Sequence, residues 1–238
     1  MRLDQTGLSS LQRSYFVLYY NRRCVMNIDI LPIVAALAAY LVGCFPSSYL
    51  FVRLASGKNV LHEGTGNMGG MNSYEVTGKR RVGIAVALFD AAKGAVVCWG
   101  AHALGATPTV VAYSAVAVVL GHCYNVFFRF RGGRGIATAA GVGAVINPLP
   151  LLLWALMYLT GYYVIRRDIH VGSITGILGL LVLTYTTPTT LLNLTMLMTP
   201  FDVGLLKGVI YMMCIIMFLR HIEPMRALFE RMQNDISE

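Results

Sequence analysis

The chain has 238 residues, 56% of them hydrophobic and only 13% charged, and 19 Lys and Arg stand against 11 Asp and Glu. A soluble domain carries roughly a quarter of its residues as charges, so this composition excludes an ordinary water-soluble fold. The length suits one membrane domain and leaves no room for a separate soluble one. The formal charge of +8 lies between apolar runs, which points to anionic lipid headgroups and phosphorylated substrates and away from nucleic acid.

In chain order, residues 1–25 carry Arg2, Arg13, Arg22 and Arg23 around an apolar patch too short for a signal-peptide core and cleavage site. Met26 opens a segment that reads as a natural start. Residues 1–25 are therefore expected to be an N-terminal extension without function. Ile30 to Val52 is apolar enough to cross roughly 30 Å of hydrocarbon as one helix. Further spans are predicted over Val82–Gly105, Thr109–Phe128, Leu149–Ile165, Val171–Thr187 and Val203–Leu219. Ile136–Ile146 is apolar but short, either a short crossing or a re-entrant helix, and Asn147-Pro148 ends it in both cases.

Charge decides between those two. Arg53, Lys58, Lys79, Arg80 and Arg81 follow the first span, Arg129, Arg131 and Arg134 the third, Arg166 and Arg167 the fifth, and Arg220, Arg226 and Arg231 the last. Alternate loops hold only Lys207 as a basic residue. All basic loops share the cytoplasmic side if Ile136–Ile146 crosses. The expectation is an all-α integral membrane protein with about seven transmembrane helices. Its N-terminus lies outside, its membrane domain covers residues 26–225, and residues 226–238 form a cytoplasmic tail. The five cysteines, Cys24, Cys44, Cys98, Cys123 and Cys214, form no CxxC pair or zinc spacing, so neither disulfides nor a metal site is expected.

Two cytoplasmic segments carry candidate chemistry. Gly64-Thr65-Gly66-Asn67-Met68-Gly69-Gly70-Met71-Asn72 is rich enough in glycine for its backbone N–H groups to form an anion-binding nest. A tight connection between closely packed helices is the simpler account of the same glycines. Arg129-Phe130-Arg131-Gly132-Gly133-Arg134-Gly135 interleaves three arginines with three glycines at a predicted helix start. Backbone donors, a helix N-terminus and guanidinium forks all favour phosphate there. Topology alone explains the arginines but not the glycines. No Walker A spacing occurs, which argues against a nucleoside triphosphatase. Asp90 and Lys93 share one helix face within a span, where mutual pairing is the structural reading and a functional site the alternative. His122 precedes the Arg/Gly loop and is placed to donate a hydrogen bond or move a proton near a bound phosphate. Cys44, inside the first span, reads as a packing residue.

Taken together these residues resemble a known family. Gly64 through Asn72 is similar to the GSGNxGATN segment of the bacterial acyl-phosphate:glycerol-3-phosphate acyltransferases, the PlsY family. Gly43-Cys44-Phe45-Pro46-Ser47-Ser48-Tyr49 resembles its GSxPxGY, and Asp90-Ala91-Ala92-Lys93-Gly94 its DxxKG. Gly121-His122 through Thr138 resembles its GHxFPxFxxFKGGKGxAT, with Arg131 and Arg134 at the lysine places, and Val171-Gly172-Ser173-Ile174 its later serine segment.

The resemblance implies a seven-helix enzyme of the inner (cytoplasmic) membrane. It would move a fatty acyl group from acyl phosphate to the 1-hydroxyl of glycerol 3-phosphate, in phospholipid biosynthesis, without metal or organic cofactor. It also implies roles. Asn67 and Asn72 bind substrate or fix the first loop, Arg134 is the main cation, and His122 positions the loop. Gly64, Gly66, Gly69, Lys93, Arg131, Gly132, Gly133, Gly135, Thr138, Ser173 and His221 complete the substrate site. The implied partners are the two substrates and membrane lipids, with no nucleic acid.

The chain departs from the family pattern at Cys44 for serine, Leu61 for arginine, Asn125 for proline and Pro224 for asparagine. Lys58 and His62 are the nearby candidates to replace the arginine. Two other readings follow from these departures. One is the same fold with another phosphorylated acceptor or acyl donor. The other is a non-catalytic membrane protein that binds lipid or phosphate without turnover.

Overall fold

The computed structural model describes residues 30–237, with side chains to residue 234. The expected extension over residues 1–25, with Cys24, lies outside the described residues. All regular structure among the described residues is helical: α1 Ile30–Gly43, α2 Ser47–Ser56, α3 Gly70–Thr77, α4 Arg80–Ala103 and α5 Pro108–Cys123, then α6 Ile136–Ile146, α7 Leu149–Thr160, α8 Ile169–Thr186, α9 Thr189–Leu194 and α10 Val203–Ser237. The stretches 30–56, 80–103, 108–128, 169–186 and 203–234 are long and apolar enough to cross a membrane, while 136–146 and 149–165 are shorter apolar helices.

The first predicted span is broken. Pro46 has no N–H to donate and disfavours helical geometry at Phe45, so the helix stops at Gly43 and restarts at Ser47. The restart buries two hydroxyls. Ser47 donates to Asp90 Oδ1 at 2.7 Å, and the hydroxyls of Ser48 and Ser73 lie 2.7 Å apart. This break joins α2 to both α3 and α4.

α5 is the central post. It packs against α4, α6 and α10, and Val111, Ala115, Val118 and Val119 are buried in the main apolar cluster. Helices approach it and one another through small residues. Gly43 faces the Val118 carbonyl, Gly121 the Tyr40 carbonyl, Gly94 the Thr138 carbonyl, and Gly141 the Ala91 carbonyl. Between helices in lipid, backbone contact of this kind replaces the hydrophobic driving force available in water.

α6 has 11 residues, about 16 Å at 1.5 Å per residue, roughly half the hydrocarbon thickness. It runs from the Arg/Gly loop to Asn147, whose buried amide donates to the Leu192 carbonyl at 2.8 Å and accepts from Leu149 N–H at 3.1 Å. Leu197 N–H closes the same end on the Ile146 carbonyl at 3.0 Å. α7 returns, with Trp154 stacked on Tyr158 and Tyr158 on Tyr162, and finishes in a π-helical turn over Gly161–Ile165. Asp168 then caps α8 by accepting from His170 and Val171 N–H. α10 continues through Pro224, so residues of the expected tail prolong the last helix as far as Ser237.

Replacing Gly141 by Val should destabilise the protein by about 1–3 kcal/mol, because its Cβ meets backbone that no rotamer change can move. A thermal-unfolding midpoint in detergent equal to wild type would show that α4 and α6 do not meet there.

Candidate functional site

The first glycine loop, between α2 and α3, is built around Asn72. This side chain is 2% exposed and its amide is fully used inside the loop. Its Oδ1 accepts Thr65 N–H at 2.9 Å, while its Nδ2 donates to the carbonyls of Asn67 at 3.0 Å, Glu63 at 3.3 Å and Val60 at 3.4 Å. Gly64, at φ +57°, leaves no room for a Cβ beside that Oδ1.

The second loop leaves α5 through a left-handed pair, Arg129 and Phe130, at φ 53° and 61°. Asn125 holds that turn by accepting Phe127 N–H at 3.0 Å and donating to the Cys44 carbonyl at 2.6 Å. Gly132 and Gly133 then pass directly over the end of α5. A Cβ on Gly132 would meet the His122 and Cys123 carbonyls, and one on Gly133 would meet the His122 ring.

Three ties join the loops and fix them to α10. Met68 N–H donates to the Gly132 carbonyl at 3.4 Å, and Arg131 Nη2 donates to the Leu61 carbonyl at 2.7 Å. Arg220 donates from Nη2 to Gly132 O at 2.9 Å and from Nε to Gly133 O at 3.1 Å, with its guanidinium 5.4 Å from the centre of the Tyr124 ring.

These ties shape a cleft of about 710 Å³. Asn67 and Gly69 line it from the first loop, Arg134 and Gly135 from the second, and Ser173 and His221 from α8 and α10. Gly69 and Gly135 are also the N-cap residues of α3 and α6, and neither helix has a side-chain cap. First-turn N–H groups of two helices are thus left to whatever occupies the cleft, and their dipoles favour an anion.

Arg134 lines the cleft with no hydrogen bond or ion pair among the described residues. Burial first, and then the neighbouring charge of Arg220, hold its guanidinium below its ordinary pKa. An arginine stays protonated regardless, so the cation is held ready for an anionic partner. His221 donates from Nδ1 to the Met217 carbonyl at 2.7 Å, and its enclosed Nε2 has no partner. Nδ1 of His170 and Nε1 of Trp154, two further residues of the cleft wall, are likewise enclosed without partners. Ser173 donates to the Ile169 carbonyl at 2.6 Å and keeps its acceptor capacity.

Of the predicted site residues, Asn67, Gly69, His122, Arg134, Gly135, Ser173 and His221 reach the cleft wall. Asn72, Gly64, Gly66, Arg131, Gly132 and Gly133 stand behind it, because their polar groups and glycine contacts are used to build the loops. Thr138 is fully buried at the α4–α6 contact.

Lys93 is also off the wall. It lies 2.8 Å from Asp90 Oδ1 and 2.8 Å from His122 Nδ1, in a network that also holds Ser47. Cys44 is sealed in packing, its thiol donating to the Gly121 carbonyl. Leu61 packs against a small apolar cluster of Val52, Val60, Met68 and Val76. Lys58 does not take up the work of an arginine there, since its ammonium donates to the Val76 carbonyl at 3.2 Å, and His62 is exposed away from the cleft wall.

Arg80, Tyr158, Trp154 and His170 were missed as wall residues, and Arg220 as the clamp. In the sequence Arg80 and Arg220 are indistinguishable from other interfacial arginines. The one available signal for Arg220 was its place immediately before His221.

Comparison with known proteins agrees with this geometry. Residues 33–231 match the family model described as glycerol-3-phosphate acyltransferase. The chain belongs to that family. Glycerol-3-phosphate acyltransferase 5 of Dehalococcoides mccartyi is 42% identical over 121 residues, which is 51% of this chain and 52% of the relative. The glycerol-3-phosphate acyltransferase of Pectobacterium atrosepticum is 43% identical over 121 residues, 51% of this chain and 56% of the relative. These matches span about half the length of each relative. The crystal structure of PlsY (YgiH), an integral membrane glycerol 3-phosphate acyltransferase, in its glycerol 3-phosphate form superposes with a TM-score of 0.68 at 25% identity. That superposition covers 84% of this chain and 92% of the other. The lysophosphatidic acid form gives a TM-score of 0.65 over the same shares. This chain is accordingly an all-helical, multi-pass integral membrane protein.

Arg220→Ala removes two charge-assisted bonds, each of about 1.5–3 kcal/mol, from the Gly132 and Gly133 carbonyls. Hydrogen–deuterium exchange across 129–136 should rise at least tenfold, while exchange in α5 stays unchanged. Unaltered exchange in that loop would mean that Arg220 does not hold it.

Proposed function

We propose that this protein transfers a fatty acyl group from acyl phosphate to the 1-hydroxyl of glycerol 3-phosphate, giving lysophosphatidate and inorganic phosphate. The observation that carries the reading is Arg134, unpaired and partly enclosed beside two uncapped helix starts in one cleft. Both substrates are phosphorylated, and the cleft is built of groups that bind phosphate. Met71, Tyr74 and Ile84, 46%, 43% and 49% exposed, form an apolar margin through which an acyl chain enters from lipid.

Acyl phosphate is a mixed anhydride with an activated carbonyl and a good leaving group. The site therefore has to align the hydroxyl and neutralise charge. The hydroxyl oxygen bonds to the carbonyl carbon, the carbon–oxygen bond to phosphate breaks, and the hydroxyl proton leaves with the phosphate. Arg134 and the two helix starts stabilise negative charge as it moves from the carbonyl to the leaving group. Ser173 donates to a phosphate once its hydroxyl turns from the Ile169 carbonyl, and the free Nε2 of His221 accepts a hydrogen bond from a substrate hydroxyl. His122, fixed through Lys93 and Asp90, orients the second loop by accepting Gly133 N–H at its carbonyl.

The inner membrane and a cytoplasmic cleft complete the proposal. Both glycine loops border the cleft at the same end of the fold as Tyr158, His170 and the start of α8, which brackets the Arg166–Arg167 turn. This agrees with seven crossings, with the C-terminus and all basic loops inside and the N-terminus outside. A different phosphorylated acceptor is the second reading. It is favoured by Leu61, whose side chain packs among apolar residues while its neighbour Lys58 is committed to the Val76 carbonyl.

The purified protein should convert palmitoyl phosphate and glycerol 3-phosphate to lysophosphatidate, and should not use palmitoyl-CoA. Arg134→Ala should lower kcat/KM at least about 100-fold, in the range lost with one donor to a developing oxyanion, while the protein elutes as wild type. Undiminished turnover in that variant removes Arg134 from the site. Phosphate or lipid binding by wild type without any acyl transfer would favour the non-catalytic reading.

A further inference from the structure

Building on the proposed acyl transfer, we infer that Arg80 is the cation that holds the phosphate of the acyl donor at the mouth of the cleft. Two phosphorylated substrates bring about −3 to −4 of charge into one cleft, at roughly −1.5 to −2 each. Arg134 supplies a single positive charge.

Most other basic side chains around the loops are occupied, and the exposed Arg81 and Arg129, without a partner among the described residues, do not line the cleft. Arg131 donates to Leu61 O, Arg220 to Gly132 O and Gly133 O, Lys58 to Val76 O and Lys79 to Ala55 O, while Lys93 pairs with Asp90. Arg80 has no hydrogen bond or ion pair among the described residues, and it lines the cleft.

Its position gives the assignment. Arg80 is the first residue of α4, and the cleft follows that helix through Gly83, Ile84 and Ala87 to Asp90. Ten residues of helix are about 15 Å, enough to seat two anions one beyond the other. Arg80 is exposed at one end, beside the apolar margin of Met71, Tyr74 and Ile84. Arg134 is partly enclosed. An acyl phosphate lying in the bilayer presents its headgroup where an interfacial cation meets an apolar rim. The small soluble acceptor has no chain to keep outside and takes the enclosed cation.

The test is a pair of single-charge deletions. Arg81 lies next in sequence, is exposed and does not line the cleft, so Arg81→Ala controls for general surface charge. Arg80→Ala should raise the KM for palmitoyl phosphate about tenfold, the value of one charge-assisted contact. The KM for glycerol 3-phosphate should stay within about twofold, Arg80→Lys should recover most of the loss, and Arg81→Ala should behave as wild type. Unchanged constants, an equal effect in Arg81→Ala, or a rise in the glycerol 3-phosphate KM instead would each overturn the assignment. Dodecyl phosphate has no carbonyl to transfer and reads the subsite even if wild type shows no turnover. Weaker binding to Arg80→Ala supports the subsite, and equal binding overturns it.

Discussion

The passage of Gly132 and Gly133 across the end of α5, clamped from the far side by Arg220, is the constraint on which the site depends. Carbonyl groups placed inside a membrane protein must find donors, and here one guanidinium serves two of them. With those oxygens held and Gly133 N–H given to His122, the chain has little freedom before Gly135. It must enter α6 with Arg134 at the cleft wall. Met68 N–H on Gly132 carries the same constraint to the first loop, so the two glycine segments move as one body. Pre-set donors of this kind need no reorganisation when charge develops on the substrate.

Beneath that body lies a compact ionic group formed by Asp90, Lys93, His122 and Ser47, every member at most 7% exposed. A lone charge at that depth is costly, and a pair with its remaining hydrogen bonds filled is tolerable. Lys93 meets Asp90 and His122, and Asp90 also accepts from Ser47, so each charge is answered within the group. The group ties α2, α4 and α5 together. It also sets the ring of His122, against which Gly133 is packed. Asp90 and His122 reach the cleft wall, whereas Lys93 and Ser47 stand behind them and act through position.

The departures from the family pattern fall into place unevenly. Cys44 is a packing residue whose carbonyl and thiol both anchor the α1–α5 junction, and Asn125 takes over the turn that a proline would stiffen. Leu61 has joined an apolar cluster and keeps only its carbonyl in the loop network. Pro224 lies one turn beyond the clamp at Arg220, inside a helix that continues past it. The scaffold of the cleft is intact where its edge chemistry has changed.

Hydropathy and charge in the sequence were enough for a helical membrane protein and for the approximate limits of its spans, because bilayer thickness imposes length and composition on each segment independently. The order of glycine, arginine and serine motifs likewise made both loops legible, since a backbone that approaches an anion must be glycine-rich. Pro46 was visible, but its break in the first span was hidden by the continuous apolar run around it. Tertiary structure decided which donors remain free. Arg131, Arg134 and Arg220 are the same chemical group in similar company along the chain, and one reaches the cleft while two are consumed by carbonyls from distant segments. The same holds for Asn67 against Asn72. A side chain's availability depends on what packs across from it in space, and neighbours in sequence carry no record of that.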